Sequence, residues 1–276
     1  MDTSTKLEDL EITLLLEAIF QRFGDDFRNH QKDLIQRKVR GFMLAHNIAT
    51  ISELQNKILH DCTYIEALLR TLDGRLVGLF DNPEYILELR KVLIPWLRSC
   101  PAPNIWIAEC TAAEDVYTMA ILLMEEGLFH KTRIFATSTN AILLNEARYG
   151  KFLLKNIAQY EENYLRAGGT ASLANYYHQL DETTAAFHQE LASIVTWAQY
   201  NLGTDSSFNE FELIICRGGL SEYTSRLRRR ALQLFCDSLP TFGILSIFGT
   251  EYNEVVSFLS QYKTISPRYG LYRKIG

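Results

Sequence analysis

Two cysteines close short apolar runs in this chain, Cys110 after Asn104–Ala108 and Cys216 at the end of Glu212–Cys216. A thiol there becomes a nucleophile when a neighbouring base takes its proton. No histidine lies near either one in sequence, so both are expected to pack in the core. The six histidines, His30, His46, His60, His130, His178 and His188, include no pair at metal-ligand spacing, and no metal site is expected. The stretch with most capacity for chemistry is Glu109-Cys110-Thr111-Ala112-Ala113-Glu114-Asp115. It follows a strand-like run and leads into apolar residues at helical spacing, the place where an open α/β sheet holds a nucleotide-like ligand. The glycines that would let the backbone close around such a ligand are missing. Within it, Thr111-x-x-Glu114 reads as a capping box that satisfies the first amides of the next helix.

The elements that would position this loop follow from apolar period. Asn104–Ala108 is a strand, Thr111–Glu126 a helix ending at Gly127, and Thr132–Thr137 a second, parallel strand. Upstream, Leu7–Phe23, Gln31–Ala45, Ile51–Ile58 and Cys62–Leu72 carry helical stripes and form a helical domain over residues 1–74. Pro83 opens a further helix in a linker, residues 75–103, that ends at Cys100-Pro101-Ala102-Pro103. The α/β domain occupies residues 104–276. Inside it, residues 150–204 lack a strong parallel-strand run, contain the short β-like segment Ala192–Tyr200, and read as an insertion. Glu212–Cys216 reads as a central strand, Arg226–Leu239 as a helix with a solvated arginine face, Gly243–Phe248 as a strand and Lys263–Ile275 as a closing pair.

A hydrophobic share of 47% over 276 residues supports a proper core, and a net charge of -5 gives no global reason to bind nucleic acid. Five cysteines, odd in number and widely spaced, fit reduced thiols. The polar, acidic start and the lack of a long charge-free apolar stretch predict a cytoplasmic protein without membrane insertion. Locally, Arg28, Lys32, Arg37, Lys38 and Arg40 against Asp33 leave four excess positive charges around one helix.

The order of segments LFDNPEYILELRKVLIPWL, IWIAECTAAEDVYTMAILLMEE, IFATSTNAILLNEARYGKF, FELIICRGGL and LYRKIG, after a small basic helical domain, resembles the chemotaxis receptor methyltransferases, the CheR family, over nearly the whole chain. The resemblance implies a Rossmann-like class I methyltransferase sheet with an N-terminal helical domain and a small inserted β-subdomain. It also implies S-adenosylmethionine as methyl donor and receptor glutamates as acceptors.

The site letters depart from that family. Where it reads T-N-x-T-x-F-F-R, with Asn and Thr meeting the cofactor and Arg at the active centre, this chain has Arg75, Val77 and Asp81. Where it reads C-S-T-G-E-E-P-Y-S after a small residue, Glu109 replaces the small residue and Ala113 the glycine, while Glu114 survives. The acid that would hold the ribose in A-T-D-I-D falls at Ser138 and Asn140. The asparagine of C-R-N falls at Gly218, with Tyr223 one place from the family's tyrosine.

If a cofactor is held, the resemblance gives it Arg75, Glu109, Glu114, Asn140 and Gly218; the degenerate catalytic positions are Asp81 and Tyr223. Methyl transfer to a carboxylate is mostly positioning, so these losses predict a catalytically degenerate protein without cofactor. It would act by binding a receptor-like helical bundle or signalling partner through Lys32, Arg37, Lys38 and Arg40. The alternative is an active S-adenosylmethionine-dependent protein-glutamate O-methyltransferase that tolerates this site.

Overall fold

The computed structural model of the chain describes residues 3–75, 77–248 and 259–276. It divides into two compact units, Met1–Gly74 with Glu222–Arg228, and Arg75–Ser221 with Arg229–Gly276.

The first unit is built on four helices, α1 (Thr3–Phe23), α2 (Lys32–Ala45), α3 (Ile51–His60) and α4 (Cys62–Asp73). Each presents one apolar stripe inward: α1, with Ile12, Leu15 and Ile19, packs on α3, with Leu54 and Ile58, while α2, with Ile35 and Val39, packs on α4, with Leu68 and Leu72. Local signals stop and start them. The Thr50 hydroxyl accepts from the Glu53 amide at 3.1 Å to cap α3, and the Asp61 carboxylate accepts from the Thr63 amide at 2.9 Å to cap α4. Residues 222–228 join this unit through backbone bonds, the Gln31 amide donating to the Glu222 carbonyl at 2.7 Å and the Thr224 amide to the Asn29 carbonyl at 2.9 Å. Nothing in the local pattern of 222–228 announces this, because the pairing is non-local.

In the second unit α5 (Pro83–Ser99) starts with Pro83 in its first turn behind an Asn82 cap. Seven strands follow: β1 (Asn104–Ala108), β2 (Arg133–Ser138), β6 (Val195–Gln199), β7 (Leu213–Arg217), β8 (Ile244–Phe248), β9 (Tyr262–Ser266) and β10 (Leu271–Lys274). They form one sheet in the order β6-β2-β1-β7-β8-β10-β9, in which β10 alone runs against the other strands. The inner strands are apolar on both faces because helices cover both. Ile105, Ile107, Ile134 and Ile215 are buried in the hydrophobic core, while the Trp106 ring packs on Phe211 and Phe235 at 5.1 and 5.4 Å.

The remaining strands, β3 (Lys151–Leu153), β4 (Tyr177–Gln179) and β5 (Thr184–Phe187), make a separate antiparallel sheet in the order β3-β5-β4 beside α8 (Ile157–Arg166). This is the small inserted β-rich piece. Its Phe187 stacks on Tyr117 of α6 (Ala113–Glu125) at 4.4 Å. At its entrance Gly150 ends α7 (Ala141–Tyr149) at φ +60°, where a Cβ would lie 2.6 Å from the Tyr117 ring.

Ala192–Tyr200, expected in the insertion, instead supplies β6, which pairs in parallel with β2 from Ile134↔Val195 to Ser138↔Gln199 and so belongs to the main sheet. As an edge strand it is only half buried, so it lacks the continuous apolar run of an inner parallel strand. No helix among the described residues is long and apolar enough to cross a membrane.

Candidate functional site

The main sheet changes direction between β1 and β7: from β1 the chain builds outward through β2 and β6, then returns to β7 and builds the other way. In open α/β sheets the crevice at the carboxyl ends of those two strands is where ligands bind. Here its walls are Glu109–Ala112 after β1 and Arg217–Gly219 at the end of β7 and the start of the short helix α9 (Gly219–Glu222). Glu109 adopts φ +54°, a left-handed conformation that favours glycine. Gly218 adopts φ +84°.

The Arg75 side chain spans this crevice. Its Nη2 donates to the Glu109 carbonyl oxygen at 2.7 Å and its Nε to the Thr111 hydroxyl at 3.2 Å. Its Nη1 stands 3.2 Å from where a Cβ on Gly218 would be. The Glu109 side chain leans the same way, with Cβ and Cγ 3.1 Å from a Cβ placed on Gly219. Asp115, with its side chain 6% exposed, holds the charge balance, 3.8 Å from Arg75 and 3.7 Å from Arg217. Arg217 also lies over the Tyr85 ring at 5.0 Å and reaches Asp81 at 4.0 Å. The sheet ends are therefore tied together by a chain of alternating charges, Arg75–Asp115–Arg217–Asp81.

Glu114 does not take the expected capping role. The cap position of α6 is Ala112, without a side-chain bond, and Thr111 is occupied by Arg75. The helix begins two residues later than the apolar pattern suggested, which takes Glu114 off the capping-box position. Its carboxylate instead accepts from the Tyr160 hydroxyl of α8 at 2.7 Å, and burial raises its pKa against the opposing effect of that hydrogen bond. Beside this pair a cavity of about 270 Å³ opens, lined by Arg75, Glu114, Leu143, Lys151, Asn156 and Tyr160 among others.

Asn140 caps α7, its Oδ1 accepting from the amides of Ile142 and Leu143 at 3.1 Å each, and it is 1% exposed. Both thiols lie in the core: burial pushes Cys110 and Cys216 up to about 12, with the charges of Asp115 and Glu109 respectively adding to the rise. Among the described residues no three His, Cys, Asp or Glu side chains gather as a metal site would need.

The structure brings Arg75, Glu109, Glu114 and Gly218 around one crevice with Asp81 at its edge. Tyr223 belongs instead to the first unit, buried with its ring edge-on to His30 at 5.0 Å. Asp115 and Tyr160 were missed by sequence reasoning. Asp115 was visible beside Glu114, whereas the reach of Tyr160 depends on how the insertion folds back.

The basic cluster of the first unit is largely neutralised. Arg40 forms two bonds of 2.6 Å with Glu8, Lys32 meets Asp9 at 3.0 Å, and Arg28 meets Glu17 and Asp26. Lys38, with its side chain 17% exposed, pairs with Glu222 at 2.8 Å and donates to the Leu72 carbonyl. Arg37 is exposed. The arginine face of α10 (Ser225–Ser238) is also not wholly solvated: Arg228 is buried and donates to the Tyr223 carbonyl at 2.9 Å.

Residues 77–266 match the family described as CheR methyltransferase, SAM binding domain, and residues 10–72 that described as CheR methyltransferase, all-alpha domain. Among curated proteins, the chain is 36% identical over 277 residues to the Cher3 protein of Pseudomonas putida, covering 99% of each. It is 24% identical over 249 residues to a chemotaxis protein methyltransferase of Listeria innocua, covering 89% of this chain and 92% of that one. With one from Borreliella burgdorferi it shares 23% over 256 residues, 87% of each.

Proposed function

The chain belongs to the CheR methyltransferase family, with its Rossmann-like methyltransferase fold and N-terminal all-alpha domain, and from that premise we propose that it binds a protein partner without transferring methyl groups, its cofactor crevice being closed by its own side chains. The observation that carries this reading is Arg75, which bonds the β1 loop and fills the space in front of Gly218.

S-adenosylmethionine brings a sulfonium, an amino-acid end and a ribose to such a crevice, and the residues present do not fit them. The amino-acid end would need the space between Glu109 and Gly219, where the Glu109 side chain lies. The ribose hydroxyls would seek an acid after β2. Asn140 supplies a neutral amide whose oxygen is turned onto two backbone amides. The partner reading is supported by the intact helical unit, and the expected partner is a receptor-like helical protein. With Arg40, Lys38 and Lys32 each paired within the unit, the exposed Arg37 is the cation best placed to meet it.

Calorimetric titration and thermal shift with S-adenosylmethionine and its demethylated product test the cofactor half, because a ligand far above its dissociation constant must raise the melting temperature. At about 1 mM of either compound no rise is expected. A clear rise below that concentration would return the protein to the active protein-glutamate O-methyltransferases.

A further inference from the structure

Helix α1 is apolar on two sides. Ile12, Leu15 and Ile19 face the interior of the first unit, while Leu7, Leu10 and Leu14 are 59%, 55% and 51% exposed. These three recur at i, i+3 and i+7, so they lie on one face rather than scattered. A surface helix normally sets polar residues there, and three half-exposed leucines in line make a patch of roughly 300 Å², the size at which apolar patches on single chains tend to be functional. Next to this stripe a hollow of about 220 Å³ opens, with Ile12 and Leu16 below and Thr13, Glu17, Arg28 and Lys32 on its rim. One helix thus carries both apolar knobs and a recess that would take one.

We propose that α1 is a self-association face on which two copies of this chain pair antiparallel about a two-fold axis. Such an interface must be self-complementary, and this one is. When Leu10 of each copy lies over Leu14 of the other, Leu7 of one reaches the recess beside Thr13 and Glu17 of the other. The same register carries the exposed Lys6 ammonium of one copy to the Glu17 carboxylate of its twin, twice over. Glu17 stays open to that second cation: its Oε2 meets Arg28 at 3.1 Å and its Oε1 accepts from the Gln21 amide at 2.8 Å, yet its side chain remains 44% exposed. The other acids of α1 near the stripe are already neutralised or bonded within the unit, Glu8 by Arg40, Asp9 by Lys32 and Glu11 by the Ser52 hydroxyl. Two like helices therefore meet without a row of opposed negative charges.

The area sets the strength. Roughly 300 Å² from each copy is little more than a third of the roughly 800 Å² per partner that a stable interface buries, so the pair is weak and forms only as concentration rises. This rests on the first unit alone and is independent of whether the crevice takes a cofactor.

Sedimentation velocity on the full chain from about 5 to 500 µM tests it, a range that spans dissociation constants of weak pairs. The expected result is a monomer at the low end and a reversible monomer–dimer equilibrium at the high end. Leu10→Glu and Leu14→Glu should each weaken it at least tenfold with an unchanged circular dichroism melt, Lys6→Glu about threefold and less so at high salt, and Leu44→Glu, at a leucine 82% exposed on α2, not at all. A wild-type chain that stays monomeric throughout overturns the proposal, as does dimerisation that survives Leu10→Glu. A monomer that captures a leucine-faced helical peptide through the same stripe also overturns it and gives the face to another protein.

Discussion

The Arg75 guanidinium donates to the carbonyl oxygen of Glu109 at 2.7 Å, and Glu109 holds that carbonyl in place from a left-handed backbone conformation at φ +54°. An L-residue in that region costs roughly 1–2 kcal/mol, so the loop is held in its conformation at a cost. Arg75→Ala removes the donor that faces Glu109 and Thr111 and leaves Asp115 with Arg217 as its remaining cation. Its expected effect is a loss of roughly 1–3 kcal/mol. Glu109→Gly relieves the backbone and should raise stability by about 0.5–1 kcal/mol. Urea denaturation of both variants checks the pair, and a destabilised Glu109→Gly would mean that the side chain contributes more than its backbone costs.

The cations of α2 should separate cleanly. Arg37 and Lys38 share the basic helix but not the same surroundings: without Lys38, Glu222 with its side chain 20% exposed would lose its cation and the Leu72 carbonyl its donor. Lys38→Ala should cost about 1–3 kcal/mol, whereas Arg37→Glu should stay within about 0.5 kcal/mol of wild type. Equal melting curves for the two would put Lys38 back on a solvated face.

These cases show how much of the structure the sequence carried. The four N-terminal helices, β1, β2, β7 and β8 were legible because their apolar residues repeat at the period of the element and buried parallel strands read as continuous runs. The edge strand β6 was not, since one exposed side dilutes its pattern. At the crevice the lost glycines and the neutral Asn140 could be read by position, and the structure adds what replaces them. That Arg75 would cross to Glu109, or Tyr160 return to Glu114, depends on contacts between residues 34 and 46 positions apart. No local pattern encodes such a contact.

Acid titration should expose two opposed groups in the first unit. Burial raises Asp25 from its ordinary 3.8 to about 6, so its protonated form favours the fold: its contribution is complete below 3.8 and lost as pH rises through 6. Burial, assisted by the Lys38 charge, lowers His30 from 6.5 to about 4. Its contribution is complete above 6.5 and lost as pH falls through 4. Between those limits the two slopes oppose each other. Relative to wild type, His30→Gln should gain stability as pH falls from 6.5 to 4, and Asp25→Asn should lose its neutral-pH advantage as pH falls from 6 to 3.8. Unfolding free energies at pH 4, 5, 6 and 7 decide it, and parallel curves for both variants would show that neither group titrates in the fold as its burial requires.

Restoring the family's letters through Asp81→Arg, Glu109→Gly, Ala113→Gly, Asn140→Asp and Gly218→Asn should not by itself create a cofactor site, because a Cβ at position 218 meets Arg75 Nη1 at 3.2 Å and the guanidinium still bridges the loops. Adding Arg75→Asn, the residue type the resembled family carries there, removes that bridge. The individual changes are compatible with the backbone: aspartate at 140 can keep the α7 cap that Asn140 provides, glycine suits the φ of Glu109, and asparagine tolerates a left-handed position such as Gly218 better than most residues do. The six-substitution protein should bind S-adenosylmethionine at least tenfold more tightly than the five-substitution one, a difference of about 1.4 kcal/mol. Calorimetric titration of both, with circular dichroism to show that each is folded, measures it. Equal binding by the two would remove Arg75 from its role as the group that closes the crevice, and absence of binding in a folded six-substitution protein would mean that the walls themselves have moved together.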